Sequence, residues 1–143
     1  APELQLLRNA KAGTPNISGA VGLGAAIDYV ESLGIDAIAA HEHNLLEAAT
    51  AQLSAIPGLT LIGTARHKAA VISFVMEGVH PHDLGTILDA GGVAVRTGHH
   101  CAQPVMDFFR IPATARASFA CYNTLAEVHQ LAAALRHAQE VFS

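Results

Sequence analysis

At 143 residues with 51% hydrophobic composition, the chain has the size of one domain with a sizeable core. A formal charge of -4 gives no electrostatic footprint for nucleic acid, and no apolar run reaches the ~18 residues of a membrane-spanning helix. Neither a secretory signal nor a disulfide framework is legible, the two cysteines standing in unlike surroundings, so a cytoplasmic protein is the expectation.

In chain order, residues 1–12 carry Leu4, Leu6 and Leu7 without a clear partner and read as the remnant of an upstream segment. Gly13-Thr14-Pro15-Asn16 is a turn, because Pro15 biases Thr14 away from the helical region. Asn16 or Ser18 can cap the first helix. From Gly19 to Leu33 the positions Val21, Ala25, Ala26, Tyr29, Val30 and Leu33 recur at helical spacing. Gly22 and Gly24 each cost that helix about 1 kcal/mol relative to Ala, which implies a backbone packed close to their face. Gly34 ends it. Asp36 to Ile56 make a second helix with Ile38, Leu45, Leu46, Ala49 and Leu53 on one side. His41 and His43, two apart, face different ways and read as solvated.

Pro57-Gly58 breaks the helix, and Leu59–Ile62 reads as a short strand. Ala70–Val75 is a firmer, β-branched strand. His80-Pro81 opens a third helix with Pro81 at its first position. A helix start accounts for His80 and His82 better than a metal pair does. Val93–Arg96 reads as the next strand, Pro104–Phe109 as one short helical turn, and Ala115–Ala120 as the last strand, with Arg116 and Ser118 on one face. Thr124-Leu-Ala-Glu127 is a capping box, opening a core-facing helix through Val128, Leu131, Leu135, Ala138 and Phe142. Cys121, beside Tyr122, reads as packing. The sum is an α+β fold, a small sheet of about four strands covered by helices.

The chemistry concentrates in Arg96-Thr97-Gly98-His99-His100-Cys101-Ala102-Gln103-Pro104 and in Arg116 downstream. A thiol attacks as its thiolate, a form that neighbouring cations favour. One cysteine flanked by imidazoles and arginines therefore reads as a reactive sulfur at the mouth of a cationic pocket. Two plainer accounts stand beside it. A free cysteine is commonly a small buried hydrophobe, although Gly, His and Pro neighbours suit core filling poorly. A metal site is the other, but consecutive His99, His100 and Cys101 lack the pair spacing of structural zinc sites, and no metal is expected.

R-T-G-H-H-C-A-Q-P, followed by A-R-A-S-F-A-x-Y-N-T from Ala115 and preceded by G-T-P-N at Gly13, resembles the active-site signature of SufS/CsdA-type cysteine desulfurases over about residues 12–142. The resemblance implies a pyridoxal-phosphate (PLP) enzyme of the aspartate-aminotransferase fold (fold type I, aminotransferase class V), of which residues 13–143 form the C-terminal small domain with its leading interdomain helix. It implies conversion of L-cysteine, or L-selenocysteine as in a selenocysteine lyase, to L-alanine, with sulfur kept as a persulfide for iron–sulfur cluster assembly. Cys101 matches the catalytic nucleophile and Arg116 the arginine that holds the substrate carboxylate. Arg96 and His100 are further substrate-binding candidates and, with His99, set the local positive potential. Thr14 matches the residue reaching the PLP phosphate of the neighbouring subunit in a homodimer. A SufE-like or scaffold protein is the implied sulfur acceptor.

The family's PLP enzymes need a lysine for the Schiff base, and this chain has only Lys11 and Lys68. His67-Lys68 superficially resembles the family's His-Lys pair, but that pair lies upstream of G-T-P-N, so Lys68 reads as surface charge. The chain alone is thus expected to be inactive, its cofactor-binding domain lying elsewhere. A sulfur-carrier or interaction module without cofactor is the alternative, and a structural fragment with exposed apolar surface is a second. A papain-like hydrolase signature is absent around the cysteine.

Overall fold

The computed structural model describes residues 15–142. The chain divides into two compact units, residues 1–37 and 38–143. In the first, helix α1 (Ile17–Leu33) begins where the Asn16 side chain accepts a hydrogen bond from the Gly19 N–H at 2.9 Å. It stops at Gly34, whose φ of 84° suits glycine. None of its residues is buried. Among the described residues nothing lies within 4 Å of a Cβ built at Gly22 or Gly24, so the close-packed backbone expected there is not found among them.

The remaining elements are α2 (Ile35–Ser54), β1 (Leu59–Ile62), β2 (Val71–Met76), α3 (Pro81–Ala90), β3 (Arg96–Gly98), α4 (Gln103–Phe109), β4 (Thr114–Ser118) and α5 (Leu125–Val141). The strands form one antiparallel sheet in the order β1-β2-β4-β3. This is the α+β layer of about four strands that the sequence leads one to expect.

Side-chain alternation decides which face of the sheet is covered. Ile72, Phe74 and Met76 of β2 and Ala115 and Ala117 of β4 are buried, in one cluster with Leu45, Leu46, Ala49 and Leu53 of α2, Leu84 and Leu88 of α3, and Val128, Leu131 and Leu135 of α5. Full burial of a side chain such as Phe74 contributes about 1.5–3 kcal/mol. On the other face Val71, Ser73, Val75 and Arg116 are half-buried and Ser118 is exposed; only Thr114 is sealed there. The face opposite these helices is the one that bears Arg116.

Local signals place the helix ends. Thr124 and Glu127 make the reciprocal capping box, the Thr124 N–H donating to Glu127 Oε2 at 2.7 Å. His80 is the N-cap of α3, its Nδ1 accepting from the His82 N–H at 3.2 Å, with Pro81 in the first turn. These histidines serve a helix start.

Several expectations need correction. The third strand is Arg96–Gly98, not Val93–Arg96. The Val93 N–H instead donates to the Leu88 carbonyl at 2.9 Å, so that stretch finishes α3 rather than joining the ladder. Phe142 lies beyond the last turn of α5 and is 45% exposed, outside the core. His41, though exposed, is not simply solvated: its Nε2 lies 2.9 Å from the Asn123 carbonyl, linking α2 to the segment before α5. α4 is a seven-residue helix, longer than one turn.

Candidate active site

Strand β4 is the platform. Its central residue, Arg116, pairs with Ser73 of β2 on one side and with Arg96 of β3 on the other. Directly opposed residues of neighbouring strands have their Cβ atoms about 4.5–5.5 Å apart, and like charges so placed are destabilising. Among the described residues no carboxylate forms an ion pair with either guanidinium, and Arg116 Nε is buried without a hydrogen-bond partner. Two arginines thus stand opposite each other across β3 and β4, with no ion-paired carboxylate among the described residues.

Beyond Gly98, which ends β3 with φ 121°, the chain reverses. The Ala102 N–H donates to the His99 carbonyl at 2.9 Å. The two residues between them, His100 and Cys101, have φ of 55° and 57°. Positive φ at both central positions is the pattern of a type I′ turn, normally occupied by Gly, Asn or Asp. A non-glycine residue in this region costs about 1–2 kcal/mol, so two in succession are held there by their surroundings. Part of that hold is visible: His100 Nε2 lies 2.8 Å from Thr114 Oγ1, which fastens the turn to β4. Thr114, fully buried, is the one buried polar side chain among the described residues.

The turn presents Cys101 as a free, exposed thiol. This excludes the buried-hydrophobe account for that cysteine. Cys121, the other free cysteine, is half-buried after β4. His100 is held below the usual histidine range, chiefly by burial and next by the Arg116 charge. Arg96 and His99 act in the same direction, and only a hydrogen bond to the Thr114 backbone opposes it. The ring is therefore neutral at neutral pH, and its Nδ1 is buried without a partner.

Of the residues singled out from the sequence, Arg96, His100 and Arg116 thus meet on one face, with Cys101 on the turn that His100 anchors. His99 is exposed beside them. Thr14 lies outside the described residues. Lys68 borders a different cleft, with His43, Glu47 and Arg66, and donates to the Gly63 carbonyl at 3.4 Å. Sequence reasoning misses Thr114: nothing in a lone threonine within an Ala-Thr-Ala-Arg strand announces a partner fourteen residues upstream. A cleft of about 250 Å³ near the start of α5, lined by Val95, Ala117, Phe119, Asn123 and Glu127, contains none of the cationic residues.

Relatives align with this sequence over nearly the whole chain. A cysteine desulfurase of Synechococcus elongatus is 58% identical over 129 residues, covering 90% of this chain and 21% of its own length. A probable cysteine desulfurase of Streptomyces coelicolor is 52% identical over 134 residues, covering 92% and 32% respectively. Among solved structures, the apo cysteine desulfurase of Thermococcus onnurineus superposes with a TM-score of 0.87 at 41% identity, over 92% of this chain and 33% of that one. The cysteine desulfurase CsdA of Escherichia coli gives 0.86 at 34% identity, over 93% and 33%. The chain thus spans about a fifth to a third of the length of the relatives it matches. The aminotransferase class-V family model matches residues 5–131, and the chain belongs to that family.

Proposed function

We propose that the chain is the C-terminal small domain of a PLP-dependent cysteine desulfurase of the SufS/CsdA type. Residues 13–143 would form that domain with its leading interdomain helix, and residues 1–12 the end of the preceding segment. The observation that carries this reading is an exposed Cys101, held on a left-handed turn whose neighbour His100 is bonded into the strand that bears Arg116. The desulfurase names of the relatives support it.

In this reading Cys101 Sγ, as thiolate, attacks the sulfur of L-cysteine. The new S–S bond forms as the substrate's C–S bond breaks; the carbon leaves with the electron pair and is protonated, giving L-alanine and a Cys101 persulfide. A thiolate displacing a carbon leaving group from sulfur needs that carbon's electrons delocalised, and PLP supplies this sink when bound. In this reading the lysine that carries PLP would belong to the large domain, and Thr14 would reach the phosphate across a homodimer, as the family resemblance implies. What this chain supplies is orientation and the nucleophile. Arg116, with Arg96 beside it, suits the α-carboxylate of an amino acid: a planar guanidinium grips a carboxylate through two parallel hydrogen bonds. The exposed turn then leaves the persulfide within reach of a SufE-like or scaffold acceptor, in the cytoplasm. L-Selenocysteine presents the same carboxylate and a softer atom for the thiolate to attack.

The experiment compares two proteins. The 143-residue chain, incubated with PLP and L-cysteine, is expected to release no alanine. The same sequence joined to its upstream large domain is expected to release it and to carry a persulfide at Cys101. Cys101→Ser should remove the persulfide, and full turnover in that variant would take Cys101 out of the mechanism. Alanine release by the short chain alone would overturn the domain assignment. If the short chain instead accepts persulfide from a donor enzyme and no cofactor binds the longer one, the cofactor-free sulfur-carrier reading replaces this one.

A further inference from the structure

Among the described residues, His100 makes the one side-chain hydrogen bond that ties residues 99–102 to the rest of the chain. Its Nε2 lies 2.8 Å from Thr114 Oγ1, and the ring also meets the Thr114 backbone. That second bond favours the charged ring, so the ring is its donor. Nδ1 has no partner, which leaves both contacts to Nε2. The Nε2–H is thus committed to β4, and the other nitrogen is buried away from solvent. Neither is placed to pass a proton to a bound molecule. The ring is a strut.

What the strut supports is strained. His100 and Cys101 have φ of 55° and 57°, a region that non-glycine residues occupy only when their surroundings hold them there. Within the turn, one backbone bond runs from the Ala102 N–H to the His99 carbonyl. That bond does not choose the strained form, because a type I turn closes with the same bond and negative φ at both central positions. The choice needs a contact from outside the turn. His100 supplies it, one residue from the thiol.

The far end of the strut matters as well. Thr114 pairs with Gly98, the last residue of β3, and stands two residues from Arg116 on β4. Alternate positions along a strand share a face and are about 6.5 Å apart, so the strut indexes the thiol to the strand that carries Arg116. Such indexing is what a nucleophile on an irregular segment requires, since a misplacement of about 1 Å can cost about a hundredfold in rate. We infer that His100 is a positioning residue, whose bond to Thr114 selects the left-handed form of the turn and thereby aims the Cys101 sulfur relative to Arg116. The inference rests on the desulfurase reading of Cys101 and Arg116, and it gives His100 a role other than substrate binding.

The test changes the ring and follows the turn. His100→Phe keeps a ring and removes the N–H; His100→Gln restores an N–H donor that cannot titrate. In proton NMR of the 143-residue chain, positive φ gives a strong cross-peak between the amide and α protons of the same residue. That cross-peak is expected at Cys101 in the unmodified chain, weakened in His100→Phe and recovered in His100→Gln. Thr114→Val removes the hydroxyl acceptor from the other end and should weaken it too, which keeps the test alive where His100→Phe does not fold. In the PLP-loaded two-domain protein, His100→Phe should lower kcat for alanine release by about tenfold to a hundredfold. KM for L-cysteine should stay within about twofold, because the binding group Arg116 is untouched. His100→Gln should recover most of the lost kcat. A Cys101 cross-peak unchanged by both His100→Phe and Thr114→Val would overturn the inference. So would a His100→Gln enzyme no faster than His100→Phe, which would assign the ring to proton transfer, or a raised KM with kcat intact, which would assign it to substrate binding. Failure of the desulfurase reading would show differently, as no alanine from the unmodified two-domain protein, and the cross-peaks would still decide whether the strut sets the turn.

Discussion

Cys101 and His100 occupy backbone conformations that their side chains disfavour, and relief of that strain is measurable. At Cys101, φ 57°, glycine would remove a clash costing about 1–2 kcal/mol, less its own extra unfolded-state entropy of about 0.5–1 kcal/mol. Cys101→Gly is therefore expected to be more stable than Cys101→Ser by about 0.5–1 kcal/mol. Urea unfolding of the two variants decides it, and equal midpoints would mean that the turn is not strained. The serine control matters because both variants lose the thiol. A residue that destabilises its own backbone while facing solvent is placed for something other than stability. Little of this is legible in the sequence. Gly98 and Pro104 announce an irregular segment, and the chemistry of a thiol among imidazoles and arginines can be read directly from residue types. The left-handed pair cannot, because neither His nor Cys signals positive φ as Gly or Asn does. The Thr114 anchor is hidden for a different reason: long-range side-chain bonds leave no periodicity.

At the scale of elements, the sequence is informative wherever a hydrogen bond is local or a face is periodic. The Thr124–Glu127 box and the alternation of β2 are examples, and Thr124→Ala should destabilise by about 1 kcal/mol as N-cap losses do. Composition misplaces the third strand because Val93-Ala94-Val95 has strand character, yet a strand is defined by its partner. Register pairs Arg96, Thr97 and Gly98 with Arg116, Ala115 and Thr114, while Val93 is tied to the end of α3. What seats β3 is a close approach from that same helix. A Cβ at Gly85 would lie 2.7 Å from Thr97 Cγ2, nearer than such atoms pack. Gly→Ala inside a helix ordinarily gains about 0.5–1 kcal/mol. Here the overlap should reverse the sign and destabilise by about 1–3 kcal/mol, the usual cost of overpacking. Thr97→Ser removes the offending methyl, so Gly85→Ala with Thr97→Ser should recover most of the loss. A double-mutant cycle in thermal unfolding measures that coupling, and strict additivity would show that the helix and strand do not meet there.

For the molecule as a whole, one sheet face is closed by three helices and the other carries the cation pair and the His100–Thr114 bond, so stability must respond to protons and anions arriving at that face. His100 is held below the ordinary histidine value of about 6.5. The unfolded chain therefore takes up this proton at higher pH than the folded chain does. By linkage, His100 costs nothing well above the unfolded value. As pH falls from about 7 towards the depressed folded value, the unfolded state is favoured, and the folded state loses stability until its own ring is protonated. Glu127 is held below the usual carboxylate range, first by its hydrogen bonds from the Thr124 backbone and then by those from its hydroxyl. Its stabilisation is present above the unfolded carboxylate value and is lost at more acid pH, so the two groups act in separate windows. Urea midpoints are expected to fall as pH drops below about 7, and His100→Gln, which cannot titrate, should flatten that limb while leaving the more acid one. Acetate should raise the midpoint in the unmodified chain at neutral pH, because an anion that binds only the folded arginine pair stabilises it by mass action. It should do so less in Arg116→Gln. A midpoint indifferent to both acid and acetate would mean that the cation pair is neutralised from within, and that this face is not a binding surface.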